Sequence, residues 1–158
     1  MTQILIALST WLHSLATIIF IGFYLLLALI YLPVLGNEET LKTTGTVLSG
    51  ISKRSRAWLY VSILVFIITG IYLTLVDPNY RGIGNFDNSW TILMLTKHIL
   101  ILGMIGIGFW FNAILRVGPL MSSNTGAVLA LARFRWYVNA MAITGIAVLL
   151  LTAFSQVQ

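Results

Sequence analysis

The chain contains no cysteine. That absence removes disulfides, thiolate metal ligands and thiol nucleophiles together, and with them the Cys-x-x-Cys-His attachment of a c-type haem. Acid is nearly as scarce, with four Asp and Glu against nine Lys and Arg in 158 residues, and histidine occurs only twice. None of the acids Glu38, Glu39, Asp77 and Asp87 falls inside a long apolar run. Carboxylate-dependent zinc catalysis therefore lacks a third ligand and a base.

Apolar side chains fill the space that charge leaves. The hydrophobic fraction is 59% and charged residues are 8%, with a mean hydropathy of +0.97, which places the chain among integral membrane proteins. Four runs, roughly 4–35, 57–76, 90–115 and 136–154, can each cross a hydrocarbon core of about 30 Å at about 1.5 Å per helical residue. The sequence predicts an all-α integral membrane protein, an up-down-up-down bundle of four transmembrane helices forming a single membrane domain over 1–158. The first run lacks a basic n-region and a small-residue cleavage site, and reads as a retained helix.

Cations set the orientation, because cytoplasmic loops retain Lys and Arg. Lys42, Lys53, Arg54 and Arg56 lie between the first two runs, and Arg116, Arg133 and Arg135 between the last two. The opposite side holds Arg81 with Asp77 and Asp87. Both termini are expected on the non-cytoplasmic side of a cell inner (plasma) or photosynthetic membrane. These cations flank helices and form no stripe, so the expected partner is the lipid bilayer and not nucleic acid.

The links carry their own signals. Leu41, Val47, Leu48 and Ile51 recur at near-helical spacing in the polar segment 36–55, which predicts a short interfacial helix on the cytoplasmic face. Asp77-Pro78-Asn79-Tyr80-Arg81-Gly82, onward to Asp87-Asn88, is rich in turn formers and predicts an outer surface loop, with Tyr80 and Trp90 at the headgroup level. Pro119 through Gly126 predicts the second cytoplasmic turn, with the last helix beginning near Val128.

The two histidines are the principal site candidates. His13 lies nine residues beyond Ile4, and His98 nine beyond Ser89, on helices that both run inward from the outer face. At about 1.5 Å per residue each is roughly 14 Å below that surface. In a bundle with short links the first and third spans sit across a diagonal. Two level imidazoles across that diagonal form the arrangement that clamps the iron of a b-type haem, which needs no thioether attachment. An intramembrane ionisable residue is a functional candidate by default. Gly22 and Gly106, with Gly103 and Gly108 nearby, would give a porphyrin wall space, although small residues serve helix packing equally. Lys97 and Arg81 are the cations available to propionates, and Lys97 could instead snorkel to the outer headgroups.

Two alternatives stand beside haem. Met94 is one turn before His98, which would complete a His2Met set for Cu(I), with Met104 and Met141 deeper along a copper path. The plainer alternative is a cofactor-free structural subunit in which the histidines are polar core residues bonded to Ser, Thr or each other. The haem alternative implies electron transfer, or an accessory role in a respiratory or photosynthetic complex, with a quinone or an outer redox protein as partner. A carrier or transporter is expected in preference to a stand-alone enzyme.

Short motifs also resemble a known family. Leu12-His13-Ser14 through Phe20-Ile21-Gly22 is similar to the first-helix pattern of the CopD copper-resistance membrane domain. Ser55-Arg56 leading to Thr69-Gly70, Leu95-Thr96-Lys97 leading to Asn112, and Arg133-Phe134-Arg135 leading to Leu151-Thr152-Ala153 resemble its later helices. The first-helix His and third-helix Lys also resemble HemJ-type four-helix proteins. The resemblance implies a common scaffold carrying either copper or haem. Phe20 stands where CopD-like chains usually have Trp, Val34 where the HemJ pattern has Arg, and Asn139 where CopD is often acidic.

Overall fold

A computed structural model describes residues 2–35, 41–82, 88–110 and 127–157, without the side chains of 35, 41–44 and 127. Every regular element among them is helical. Helix α1 covers Thr2–Leu26, continues through a π-helical turn at Leu27–Tyr31 and closes as α2, Leu32–Leu35. Helix α3 covers Leu41–Val76, α4 covers Ser89–Trp110 and α5 covers Ala127–Ser155. Four stretches, Thr2–Val34, Gly45–Val76, Ser89–Trp110 and Val128–Ser155, are long and apolar enough to cross a membrane. Arg116, Asn112, Asp87, the Pro119–Gly126 turn and the expected end of the third span at 115 lie outside the described residues.

The widened turn in the first span has a local cause. Pro33 has no N–H to donate, and its ring would collide with a carbonyl one turn back in a regular α-helix. The backbone loosens immediately upstream, where the Leu32 N–H reaches the Leu27 carbonyl five residues back.

The largest difference from the sequence expectation is α3. No separate interfacial helix precedes the second span: residues 41–56 and the apolar run 57–76 form one helix of 36 residues. At about 1.5 Å per residue it is about 54 Å long, well beyond an apolar core of about 30 Å. The pattern of Leu41, Val47, Leu48 and Ile51 is helical because it is the opening of this same helix, and Leu48 is buried. By contrast, the last helix begins as expected, at Ala127.

The link after α3 starts with a turn built by Asp77. Its carboxylate accepts from the Asn79 N–H at 2.9 Å, and its carbonyl from the Tyr80 N–H at 3.0 Å. Gly82 then takes φ of 98°, where a side chain would be strained. Asn88 caps α4 by accepting the Thr91 N–H at 2.8 Å, and its amide donates to the Asn79 carbonyl at 3.1 Å. Trp90 is 3% exposed, so this indole is packed inside the protein.

Helix α1 packs chiefly against α3 and α5, and α4 chiefly against α5. The core gathers Phe20, Ile21 and Tyr24 of α1, Ile101 and Met104 of α4, and Val138 and Met141 of α5. Ile21 seats on Gly145, where an added Cβ would lie 2.7 Å from its Cγ2. Outward, large apolar side chains such as Ile18, Leu64, Leu102 and Ile143 are exposed. In water such a surface would be costly; against acyl chains it is the expected solvent face.

Candidate functional site

His13 occupies the inward face of α1 between Ala16 and the helix start, half-buried. Its Nδ1 lies 2.9 Å from the Thr69 hydroxyl on α3, and its ring packs on Phe66 with centroids 4.3 Å apart. The Thr69 hydroxyl spends its single proton on the Val65 carbonyl at 2.6 Å. Thr69 can then only accept, so Nδ1 of His13 is the protonated nitrogen and the lone pair is on Nε2. Gly70 completes the seat: a Cβ there would stand 3.3 Å from the His13 Cε1.

His98, half-buried on α4, is fixed by a different partner to the same tautomer. Its Nδ1 lies 2.6 Å from the Met94 carbonyl, which can only accept. In both imidazoles Nδ1 is thus the nitrogen engaged by a neighbouring oxygen. The His13 ring also hydrogen-bonds the Phe66 backbone.

The other candidates separate into two groups. His13 interacts electrostatically with both Lys97 and His98, so the structure brings these three side chains of α1 and α4 into one region. Lys97 is half-buried and feels the charge of Asp77, at the start of the outer link. Met94 is half-buried one turn from His98. Arg81 is exposed in the link, and among the described residues nothing joins it to either imidazole. A Cβ built on Gly22 or Gly106 meets nothing within 4 Å, and Gly106 is exposed. Gly103 is likewise open, whereas Gly108 is in close contact.

Gly108 belongs to a second polar centre that spacing did not reveal. The hydroxyls of Tyr24 and Tyr137, 113 residues apart in sequence, meet at 3.0 Å. Both tyrosines are buried, and a Cβ on Gly108 would lie 3.5 and 3.6 Å from the two oxygens. The only sequence signal for it is that glycine, which lets α4 approach two hydroxyls. Thr69 was similarly undistinguished among the many helical threonines.

Among the described residues no three His, Cys, Asp or Glu side chains come together to hold a metal ion. The donors in this region are two imidazoles, with one thioether nearby. Neutral donors in a low-dielectric interior leave a bare divalent cation uncompensated. A porphyrin would bring its own four nitrogens and two negative charges, and would ask of the protein only axial donors such as imidazoles. Monovalent copper is the other ion that such soft, neutral ligands suit. No protein-family model, curated protein or solved structure matches the chain.

Proposed function

We propose that this chain is a multi-pass membrane protein holding one b-type haem between His13 and His98, toward the outer face of an up-down four-span bundle. In this reading it transfers electrons or serves as an accessory subunit of a redox complex. The membrane part is supported by the four apolar helices and the outward apolar surface. The alternating topology is supported by α1 meeting α5 at Tyr24 with Tyr137 and at Ile21 with Gly145, a pairing that steps in opposite directions along the two helices. Exposed Lys53, Arg54 and Arg56 on α3 and exposed Arg133 on α5 support placing those ends in the cytoplasm and both termini outside.

The observation that carries the haem reading over the copper one is the position of Lys97. An ammonium group within electrostatic reach of His13 repels a bare Cu(I) ion and attracts a carboxylate, such as a propionate. When bound, haem supplies reversible one-electron chemistry. The chain's own part would be to hold and orient: His13 and His98 would supply the imidazoles, Thr69 and the Met94 carbonyl fix the two rings, and Lys97 would neutralise a propionate. One haem in one leaflet cannot conduct across the whole bilayer, so a quinone or outer redox protein completes the circuit.

A copper-handling reading keeps one specific support, the Met94 thioether beside His98. It also agrees with the CopD-like motifs, as the first-helix His and third-helix Lys agree with the HemJ-type pattern.

A reduced-minus-oxidised visible spectrum of the detergent-purified protein, with metal analysis of the same sample, tests the assignment. Sharp reduced α and β bands with about one iron per chain are expected for two axial nitrogens. Stoichiometric copper without those bands moves the site to the transporter reading. A protein that takes up neither, even after haem addition, is a packing subunit.

A further inference from the structure

Helix α3 carries an exposed stripe that neither the core nor the histidine site uses. Lys53, Arg56, Tyr60, Leu64 and Ile67 recur at helical spacing, and all five are exposed. From Lys53 to Ile67 the stripe changes in order from cationic through aromatic to aliphatic. Fourteen residue steps at about 1.5 Å span about 21 Å, the length scale of one leaflet with its headgroup. Tyr60 does not stand alone: its ring stacks on Phe109 of α4 with centroids 5.7 Å apart and planes 10° from parallel. Both rings remain largely exposed, Tyr60 at 46% and Phe109 at 50%. Helices α3 and α4 are not a principal packing pair, so this stack marks a seam on the bundle surface, with two cations at its cytoplasmic end.

We infer that this seam binds an anionic phospholipid, its phosphate against Lys53 and Arg56, its glycerol region on the Tyr60–Phe109 stack, and an acyl chain along Leu64 and Ile67. Charge complementarity selects the headgroup, because cations one turn apart on one helix face suit a phosphate-bearing lipid of net negative charge and gain less from a zwitterion, whose own cation offsets its phosphate. An amphipathic aromatic pair is the side-chain chemistry favoured at headgroup depth. The inference rests on the membrane reading alone and is independent of any cofactor.

The test uses full-length protein, delipidated in a neutral detergent and supplemented with phosphatidylglycerol, phosphatidylcholine of the same acyl chains, or soluble glycerol phosphate. Phosphatidylglycerol is expected to raise the unfolding temperature by several degrees, with the other two leaving it unchanged. A K53Q/R56Q variant should lose that shift, whereas R54Q, off the stripe, should keep it. Native mass spectrometry of unaltered protein should show phosphatidylglycerol carried through purification, a readout that needs no variant to fold. Equal response to both phospholipids, or a full shift in K53Q/R56Q, overturns the assignment. A response to glycerol phosphate alone makes the site a phosphate site and overturns it as well. If the chain instead stays soluble without detergent, the membrane reading itself is what fails.

Discussion

His13 on α1 and Thr69 on α3 form one hydrogen-bonded unit at 2.9 Å, in which the threonine hydroxyl, already committed to the Val65 carbonyl, accepts the imidazole proton. This contact occupies Nδ1 of His13. It also ties a candidate iron ligand to the neighbouring helix, so ring orientation is set by helix packing and not by the side chain's own torsions.

Thr69→Val keeps the shape of the side chain and removes the acceptor. Loss of an orienting partner outside the ligand set typically lowers metal-site affinity by about 10–100-fold. Haem titration of the apoprotein should show a drop of that order with the unfolding temperature little changed. Unaltered affinity would mean that Thr69 does not orient the ring.

Replacement of either imidazole is more severe. His13→Ala and His98→Ala should each abolish the low-spin reduced bands, and Met94→Ala should leave them intact because its carbonyl still locks His98. Full haem occupancy in the double histidine variant would refute the assignment; copper loss specific to Met94→Ala would favour the transporter reading.

The four informative glycines divide by what a methyl group would strike. Gly145→Ala forces a Cβ to 2.7 Å from Ile21, an overpacking expected to cost about 1–3 kcal/mol. Gly70→Ala presses on His13 at 3.3 Å and should shift the haem spectrum more than the stability. Gly22→Ala and Gly106→Ala enter open space and should be neutral or stabilising by up to about 1 kcal/mol, through helix propensity. Thermal unfolding of the set, with spectra, checks this ranking.

Tyr24→Phe or Tyr137→Phe removes the hydrogen bond made at 3.0 Å, a loss of about 0.5–1.5 kcal/mol. The double variant removes both oxygens and should cost less than the sum of the singles, a coupling that a double-mutant cycle in denaturant measures directly. Strict additivity would show that the two hydroxyls are energetically independent.

Hydropathy made the four long apolar helices legible because a helix able to cross a membrane must be apolar along that length, and that property is local. The start of α3 was misread for the same reason. Polar Lys53, Arg54, Ser55 and Arg56 interrupt the apolar signal, but nothing at Ser52 or Ser55 stops the backbone from continuing: the Ser55 hydroxyl folds onto the Ile51 carbonyl at 2.8 Å and the helix runs on. Trp90 was placed at the interface by its neighbours in sequence, whereas its burial depends on the fold around it. The histidines were visible by rarity. Their tautomers, the Thr69 seat and the Tyr24–Tyr137 pair were not, because each is fixed by a partner on another helix or by backbone geometry.

The π-helical turn at Leu27–Tyr31 has a consequence for the phase of the first span. Leu27 and Leu32 are five residues apart, and a regular helix would turn their side chains about 140° from each other. Both are nevertheless 4% exposed, because the wide turn absorbs one residue and brings the second leucine back over the first. Deleting a single residue from 28–30 together with Pro33→Ala would restore ordinary winding while keeping Leu32 in register. The bundle therefore tolerates Pro33 at the cost of one residue of chain, and the core below it does not have to rotate.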